Sequence, residues 1–110
     1  MKISKELAKG STALLVLSVI SKRDMYGYQI IKTIEMESEE VFTLNEGTLY
    51  PILHSFEKNG YLTSYKEGAE GGRERKYYKI TAAGKLFLQT HLEEWSYFTS
   101  VVNKVLAGEN

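Results

Sequence analysis

The alternation of apolar and polar residues predicts three helices within the first sixty residues. Residues 4–21 are predicted to form the first, in which Ser18 is the one polar residue between Ala13 and Ile20. A helix with one solvated face carries more polar positions than this, so we expect two of its sides to be covered. The second side would be buried either by the rest of this chain or by another subunit.

A second helix is predicted to begin at Asp24, a suitable N-cap, and to end in an acidic turn over residues 35–40. Its inward stripe begins at Gly27, whose missing side chain would allow another helix to approach closely. Tyr26 and Tyr28 flank this glycine. We expect the side chains of both tyrosines to lie in the core or at its rim.

The third helix is indicated by four apolar residues at positions i, i+3, i+4 and i+7: Leu49, Ile52, Leu53 and Phe56. Asn45 is a good N-cap and Gly60 a suitable stop. Pro51 interrupts this pattern, because its ring would clash with the carbonyl group of Gly47. The sequence therefore predicts a bend or a late start at this point.

The other face of the third helix carries short polar, aromatic and cationic side chains: Thr48, Tyr50, His54, Ser55 and Lys58. Side chains of these types can reach DNA phosphates and base edges. The alternative is an ordinary solvated face. Two short helices joined by a turn, with a polar face on the second, indicate a helix-turn-helix.

After Gly60 the period changes to two residues, which predicts two strands around the glycine-rich segment 67–73. The predicted β-hairpin has a basic second half with three candidate DNA contacts: Arg73, Arg75 and Lys76. Cations on a hairpin can lie along a phosphate backbone or enter a narrow minor groove. A solvated hairpin would be the favoured interpretation in isolation, but a helix-turn-helix directly upstream favours the DNA contact.

The last predicted helix begins after Thr81, its N-cap, and continues to about Leu106. Its apolar side is longer than a winged domain can cover, and soluble monomers rarely expose such a surface. We therefore expect a dimerisation helix, with an interface that includes the first helix: Leu14, Leu17, Leu88, Leu92, Trp95, Val102 and Val105. Residues 1–81 would form the DNA-binding domain and residues 82–110 the dimerisation element of one compact unit.

Composition and charge limit the functions that this chain can have. The 110 residues contain no cysteine and carry a net charge of zero, built from basic residues near both 2–9 and 73–79 and an acidic middle. No apolar run is long enough to cross a membrane, so we expect a cytoplasmic protein. His54 and His91 have no metal-ligand partner at helical spacing, and known catalytic motifs are missing. We expect no enzyme activity, metal or cofactor.

Four motifs in order resemble the PadR-like family of transcriptional regulators. They are Tyr26-Gly27-Tyr28, the segment from Glu46 to Leu53, Phe56-Glu57-Lys58-Asn59-Gly60, and the segment from Gly72 to Gly84. The family usually has leucine where this chain has Ile80. The resemblance covers about residues 12–84 and implies a winged helix-turn-helix, mainly α with a small β-hairpin.

The single C-terminal helix is similar to the short subfamily, which includes multidrug-sensing repressors. This resemblance implies a homodimer that represses transcription from a pseudo-palindromic site on double-stranded DNA. It also implies release by a planar aromatic effector, a drug or a phenolic compound, near Trp95, Leu92 and Phe98. From the residues alone, Trp95 buried in a dimer interface is the simpler interpretation.

Two other classes stay open at this point. A winged-helix module could bind another protein and no DNA, through its acidic turn or its long helix. A small-molecule carrier could use Trp95 without binding DNA. The cationic hairpin favours DNA binding, since a module that binds only proteins does not need it.

Overall fold

The computed structural model describes residues 1–68 and 72–108. Within these residues the chain forms five helices and three strands. In chain order they are α1 (Lys5–Lys9), α2 (Thr12–Lys22), β1 (Met25–Tyr26), α3 (Gly27–Glu37), α4 (Glu46–Lys58), β2 (Leu62–Gly68), β3 (Glu74–Ile80) and α5 (Ala82–Ala107). The architecture is mainly helical with a small antiparallel sheet of order β1-β3-β2, a winged helix-turn-helix followed by a long helix.

The first predicted helix is two helices, so a continuous helix over residues 4–21 is wrong. α1 ends before Gly10, and α2 begins after Ser11. The carbonyl of Ala8 accepts the Ser11 N–H at 3.1 Å and the hydroxyls of Ser11 and Thr12 at 3.0 and 3.1 Å. Serine and threonine side chains that bond to nearby carbonyls compete with helix continuation, and glycine has a low helix propensity.

Asp24 does not cap the second predicted helix, which also starts later than expected. Tyr26 is the N-cap of α3, and its backbone N–H donates to the side-chain oxygen of Gln29 at 3.2 Å. The two residues before Gly27 form β1, in which Met25 pairs with Tyr78 and Tyr26 pairs with Tyr77 of β3. Pairing with a strand fifty residues away therefore displaces the local cap.

α4 confirms the third predicted helix and its cap. The Asn45 side chain accepts the backbone N–H of Thr48 at 2.9 Å, and the helix begins at Glu46. Pro51 lies inside the helix, so the late start is wrong. Proline leaves the carbonyl of Gly47 without its helical donor, but Gly47 is exposed and water can replace that bond.

The predicted hairpin is confirmed as β2 and β3, in register from Leu62 opposite Ile80 to Gly68 opposite Glu74. One face of it packs over the helices and buries Leu62, Tyr78 and Ile80. The core lies between α2, α3, α4 and this face. Its most completely buried side chains are Val16, Leu17, Ile20, Ile30, Leu49, Leu53 and Leu62.

α5 confirms the predicted long helix. The Thr81 hydroxyl caps it by accepting the N–H of Gly84 at 2.9 Å. Gly84 and Leu88 are its buried residues, while most of the apolar side chains further along are exposed to solvent. None of the helices in the described ranges is both long and apolar enough to cross a membrane.

Candidate nucleic-acid interface

α4 separates into a buried face and an exposed polar face. Leu49 and Leu53 are completely buried, and Phe56 nearly so. All five predicted contact residues on the other side are exposed: Thr48, Tyr50, His54, Ser55 and Lys58. This arrangement follows from the helical period, which turns apolar residues spaced by three and four toward the core.

Tyr50 also packs against α3. A Cβ atom placed on Gly27 would lie 2.6 Å from the Tyr50 hydroxyl oxygen, so the tyrosine occupies the space that glycine leaves open. The space at Gly27 is therefore filled by a side chain of the neighbouring helix and not by its backbone. Since Tyr50 is still 44% exposed, part of its ring remains available on the polar face of α4.

The three predicted cations of the hairpin do not share one face. Lys76 points toward α4, where its Nζ lies 3.4 Å from the Glu57 carboxylate. Glu57 also accepts the Ser64 hydroxyl at 2.7 Å. The Ser64 hydrogen bond, with the charge of Lys76, lowers the pKa of Glu57 below its ordinary value of 4.5. Lys76 therefore joins the hairpin to α4.

Arg75 lies on the opposite face of the sheet, with its guanidinium 4.6 Å from the centre of the Tyr26 ring. We call this surface, formed by Tyr26, Tyr65, Tyr77 and Arg75, the tyrosine face. Arg73 is exposed and directly precedes β3. We use the word wing for the β2–β3 hairpin together with Arg73.

The tyrosine face is ordered by ring stacking and one hydrogen bond. Tyr65 stacks on Tyr77 with ring centres 5.6 Å apart, and Tyr77 meets Tyr26 edge-on at 5.4 Å. The Tyr65 hydroxyl donates to the Asp24 carboxylate at 2.7 Å. That hydrogen bond raises the pKa of Tyr65 to about 12. Sequence reasoning missed this surface, because β1 was not predicted.

Lys66 is a further wing cation that sequence reasoning missed. It is exposed and lies directly opposite Lys76 in the β2–β3 register. The signal that identifies it is this register, which places Lys66 and Lys76 on the same face of the hairpin.

A groove of about 750 Å³ lies between α2 and α5. Of the three predicted effector residues, Trp95 and Phe98 line it, whereas Leu92 does not. Phe56 lines it too, so the groove reaches α4. The remaining lining is largely apolar and aromatic, as in many sites for small organic molecules.

The residues predicted for a dimer interface fall into two groups. Leu17 and Leu88 are buried within this chain, so they support the surface and offer little area to a partner. Leu14 and Val102 are half-buried, while Leu92, Trp95 and Val105 are exposed. The exposed group leaves an apolar surface along α5.

Comparison with known proteins identifies the family. The model of the transcriptional regulator PadR-like family matches residues 16–90. The transcriptional regulator Rv3488 of Mycobacterium tuberculosis is 26% identical over 96% of this chain and 92% of its own length. The transcriptional regulator YqjI of Escherichia coli is 31% identical over 77% of this chain, a match that spans 39% of YqjI. These relatives are regulators and not enzymes, as the sequence predicts.

Solved structures agree with this assignment. A transcriptional regulator from Clostridium thermocellum is 37% identical, with a TM-score of 0.83 over 93% of this chain and 96% of its own. A PadR-like transcriptional regulator from Bacillus cereus is 28% identical, with a TM-score of 0.80 over 96% of this chain and all of its own. The predicted fold class and the family resemblance are confirmed, and the chain belongs to the PadR-like family of transcriptional regulators.

Proposed function

We propose that this protein is a homodimeric repressor that binds a pseudo-palindromic operator in double-stranded DNA. The observation that carries the proposal is the polar face of α4, whose five candidate contact residues are all exposed beside the wing. In this geometry each recognition helix enters a major groove, and the two grooves lie one helical turn apart. A regulator of this kind acts on chromosomal DNA in the cytoplasm.

The candidate contacts divide by chemistry. Thr48, His54 and Ser55 have hydrogen-bonding groups for base edges or phosphates, and Lys58 has a charge for a phosphate. Tyr50 is held by its packing on Gly27, which limits the positions that its hydroxyl can take. These residues would fix the position of α4 on the DNA and give the protein its sequence preference.

The wing cations would contribute mainly through phosphates. Arg73 is exposed just before β3, while Arg75 is already held over Tyr26. Lys76 would have to exchange its Glu57 partner for a phosphate, so its net contribution is expected to be smaller. Arg73 is therefore the residue on which the proposed wing contact depends most.

The exposed apolar side chains of α5 would form the dimer interface. A two-fold dimer uses the same patch on both subunits, and a continuous helix face suits such an arrangement. Leu92, Trp95 and Val105 would be covered, with Leu14 and Val102 beside them. This interface would set the distance between the two recognition helices.

A planar aromatic effector would bind in the groove between α2 and α5. The rings of Trp95 and Phe98 lie 5.9 Å apart there, and such rings attract flat aromatic molecules. An effector can release DNA only if it favours a subunit arrangement that binds the operator less well. Quenching of Trp95 fluorescence by such compounds would report this binding directly.

A mobility-shift titration against salt tests DNA binding, with DNA from the region upstream of the protein's own gene. We expect saturable binding that survives competitor DNA and weakens steeply with salt. Arg73→Ala/Arg75→Ala should weaken binding to all sequences and flatten the salt dependence by about 0.9 per lost phosphate contact. Lys104→Ala, which removes an exposed cation in the last turn of α5, is the control.

The outcomes separate the candidate functions. Absence of any shift at low salt would contradict DNA binding and favour a module that binds another protein. Binding without sequence preference would contradict the operator proposal. An unchanged salt slope in the double arginine variant would exclude the wing contact while leaving the contact by α4 intact.

A further inference from the structure

A side-chain hydrogen bond connects the edge strand β2 to the residue just before β1. In the order β1-β3-β2, β2 has no backbone pairing with β1. The Tyr65 hydroxyl on β2 nevertheless reaches the carboxylate of Asp24, the residue just before β1, at 2.7 Å and 41 positions away in sequence. Asp24 lies between α2 and α3, so the bond connects the wing to the entrance of the helix-turn-helix.

Ring contacts make this connection continuous across the sheet. Tyr65 lies almost parallel to Tyr77, with an angle of 10° between the rings. Tyr77 in turn meets Tyr26 of β1 at 72°. A hydrogen bond to an ionised carboxylate is stronger than one between neutral groups. The tyrosine face is therefore fixed from its outer strand to the segment that precedes α3.

The fold itself has little need of this bond. The hairpin is already held by its backbone register and by Leu62, Tyr78 and Ile80 on the buried face. Tyr65 is 39% exposed, so this bond adds no more than one net hydrogen bond to the stability of the fold. What the bond does is tie the outer strand of the wing to the segment that precedes α3.

We propose that Asp24 and Tyr65 are positioning residues that set the direction of the wing for DNA binding, an inference that rests on the proposed function. Arg73 lies four residues before Tyr77, about 13 Å along an extended strand. A rotation of the hairpin by about 10° at Tyr77 would move Arg73 by about 2 Å. That displacement exceeds the spread of about 0.5 Å within which hydrogen bonds to phosphate keep their geometry.

The test is a double-mutant cycle between Tyr65 and Arg73. Affinity for operator DNA is measured by fluorescence anisotropy for the wild type, Tyr65→Phe, Arg73→Ala and the double variant. We expect Tyr65→Phe to weaken binding about three- to tenfold, the range for one net hydrogen bond. In the Arg73→Ala background the same change should have less than about a twofold effect, because residues that act through one contact are not additive.

Three further variants separate positioning from other effects. Ser100→Ala removes a hydroxyl from an exposed residue of α5 that does not line the groove, and it should bind like the wild type. Asp24→Asn keeps an acceptor for Tyr65 and should retain wild-type coupling to Arg73. Asp24→Ala removes that acceptor together with a negative charge near the wing. Removing that negative charge by itself should strengthen binding to DNA. A loss of affinity in Asp24→Ala would therefore be due to the missing hydrogen bond and not to the change in charge.

The results also separate this inference from the proposed function. If Arg73→Ala weakens binding but Tyr65→Phe does not, the positioning role is wrong and the DNA-binding function stands. If Tyr65→Phe weakens binding equally in the wild type and in Arg73→Ala, the positioning role is also wrong, because Tyr65 then acts independently of Arg73. A wild-type protein that binds no DNA overturns both. Thermal unfolding of each variant confirms that the compared proteins are folded.

Discussion

The hydroxyl of Tyr50 lies where a side chain at position 27 would begin. A Cβ atom on Gly27 would be 2.6 Å from the Tyr50 oxygen and 3.2 Å from the adjacent ring carbon. Gly27 is buried at the start of α3, and Tyr50 lies in the first half of α4. This contact packs the far end of the Tyr50 side chain against the first residue of α3.

We expect Gly27→Ala to lower the free energy of unfolding by about 1 kcal/mol, the lower end of the range for overpacking, because the exposed Tyr50 side chain can move away from the new methyl group. Tyr50→Phe in the same background should recover part of the loss, since it removes the nearest atom. Gly10→Ala is the matched control, because a Cβ at Gly10 meets nothing within 4 Å. Urea unfolding measures all three variants, and wild-type stability of Gly27→Ala would contradict the packing described.

Gly84→Ala should be more damaging than Gly27→Ala. A Cβ on Gly84 would collide with the backbone carbonyl oxygen of Tyr61 and lie 2.7 Å from the side chain of Ile80. A backbone carbonyl cannot swing aside as a tyrosine ring can, so the start of α5 would have to shift. We expect a loss at or above the upper end of about 1–3 kcal/mol. An equal or smaller loss than for Gly27→Ala in the same urea titration would contradict this order.

The contacts of Glu57 with Ser64 and Lys76, which join α4 to the wing, predict a pH dependence of stability. The Ser64 hydrogen bond and Lys76 hold the pKa of Glu57 below its ordinary value of 4.5. A lowered folded-state pKa means that stabilisation is present above the unfolded value and disappears as the pH falls through the folded value. Glu57→Gln should therefore be less stable than the wild type at neutral pH.

In acid the difference between Glu57→Gln and the wild type should shrink, because protonation removes the same charge. Ser64→Ala should reproduce part of the neutral-pH loss, since the Ser64 hydrogen bond is the main cause of the lowered pKa. Thermal unfolding across the acid range measures these differences. A constant difference at every pH would show that the Glu57 charge does not stabilise the fold.

The proposed dimer predicts a position-dependent effect of added charge on α5. Val105 is 74% exposed, and a glutamate there would leave a charge buried in the interface. We expect Val105→Glu to shift the protein toward monomer in sedimentation-velocity experiments. Ser100→Glu is the control, since Ser100 is exposed about 140° around the helix from Val105. Equal behaviour of the two variants would place the interface elsewhere.

The local features of this protein were determined by its sequence alone. The helical spacing of Leu49, Leu53 and Phe56 predicts the buried face of α4, and Asn45 and Thr81 predict helix starts that the structure confirms. Each of these features depends on residues within about one or two helical turns. Short-range periodicity and capping can be evaluated without knowing the partners of a segment.

Only the tertiary structure decided which distant residues meet. Asp24 is an acceptable cap in the sequence, yet strand pairing makes Tyr26 the cap and leaves Asp24 to bind Tyr65. The period of two already places the neighbours Arg75 and Lys76 on opposite faces of the strand, but only the tertiary structure shows that Lys76 meets Glu57 of α4. These contacts depend on which distant segments pack together, and the spacing within one segment does not identify its partner residues in another.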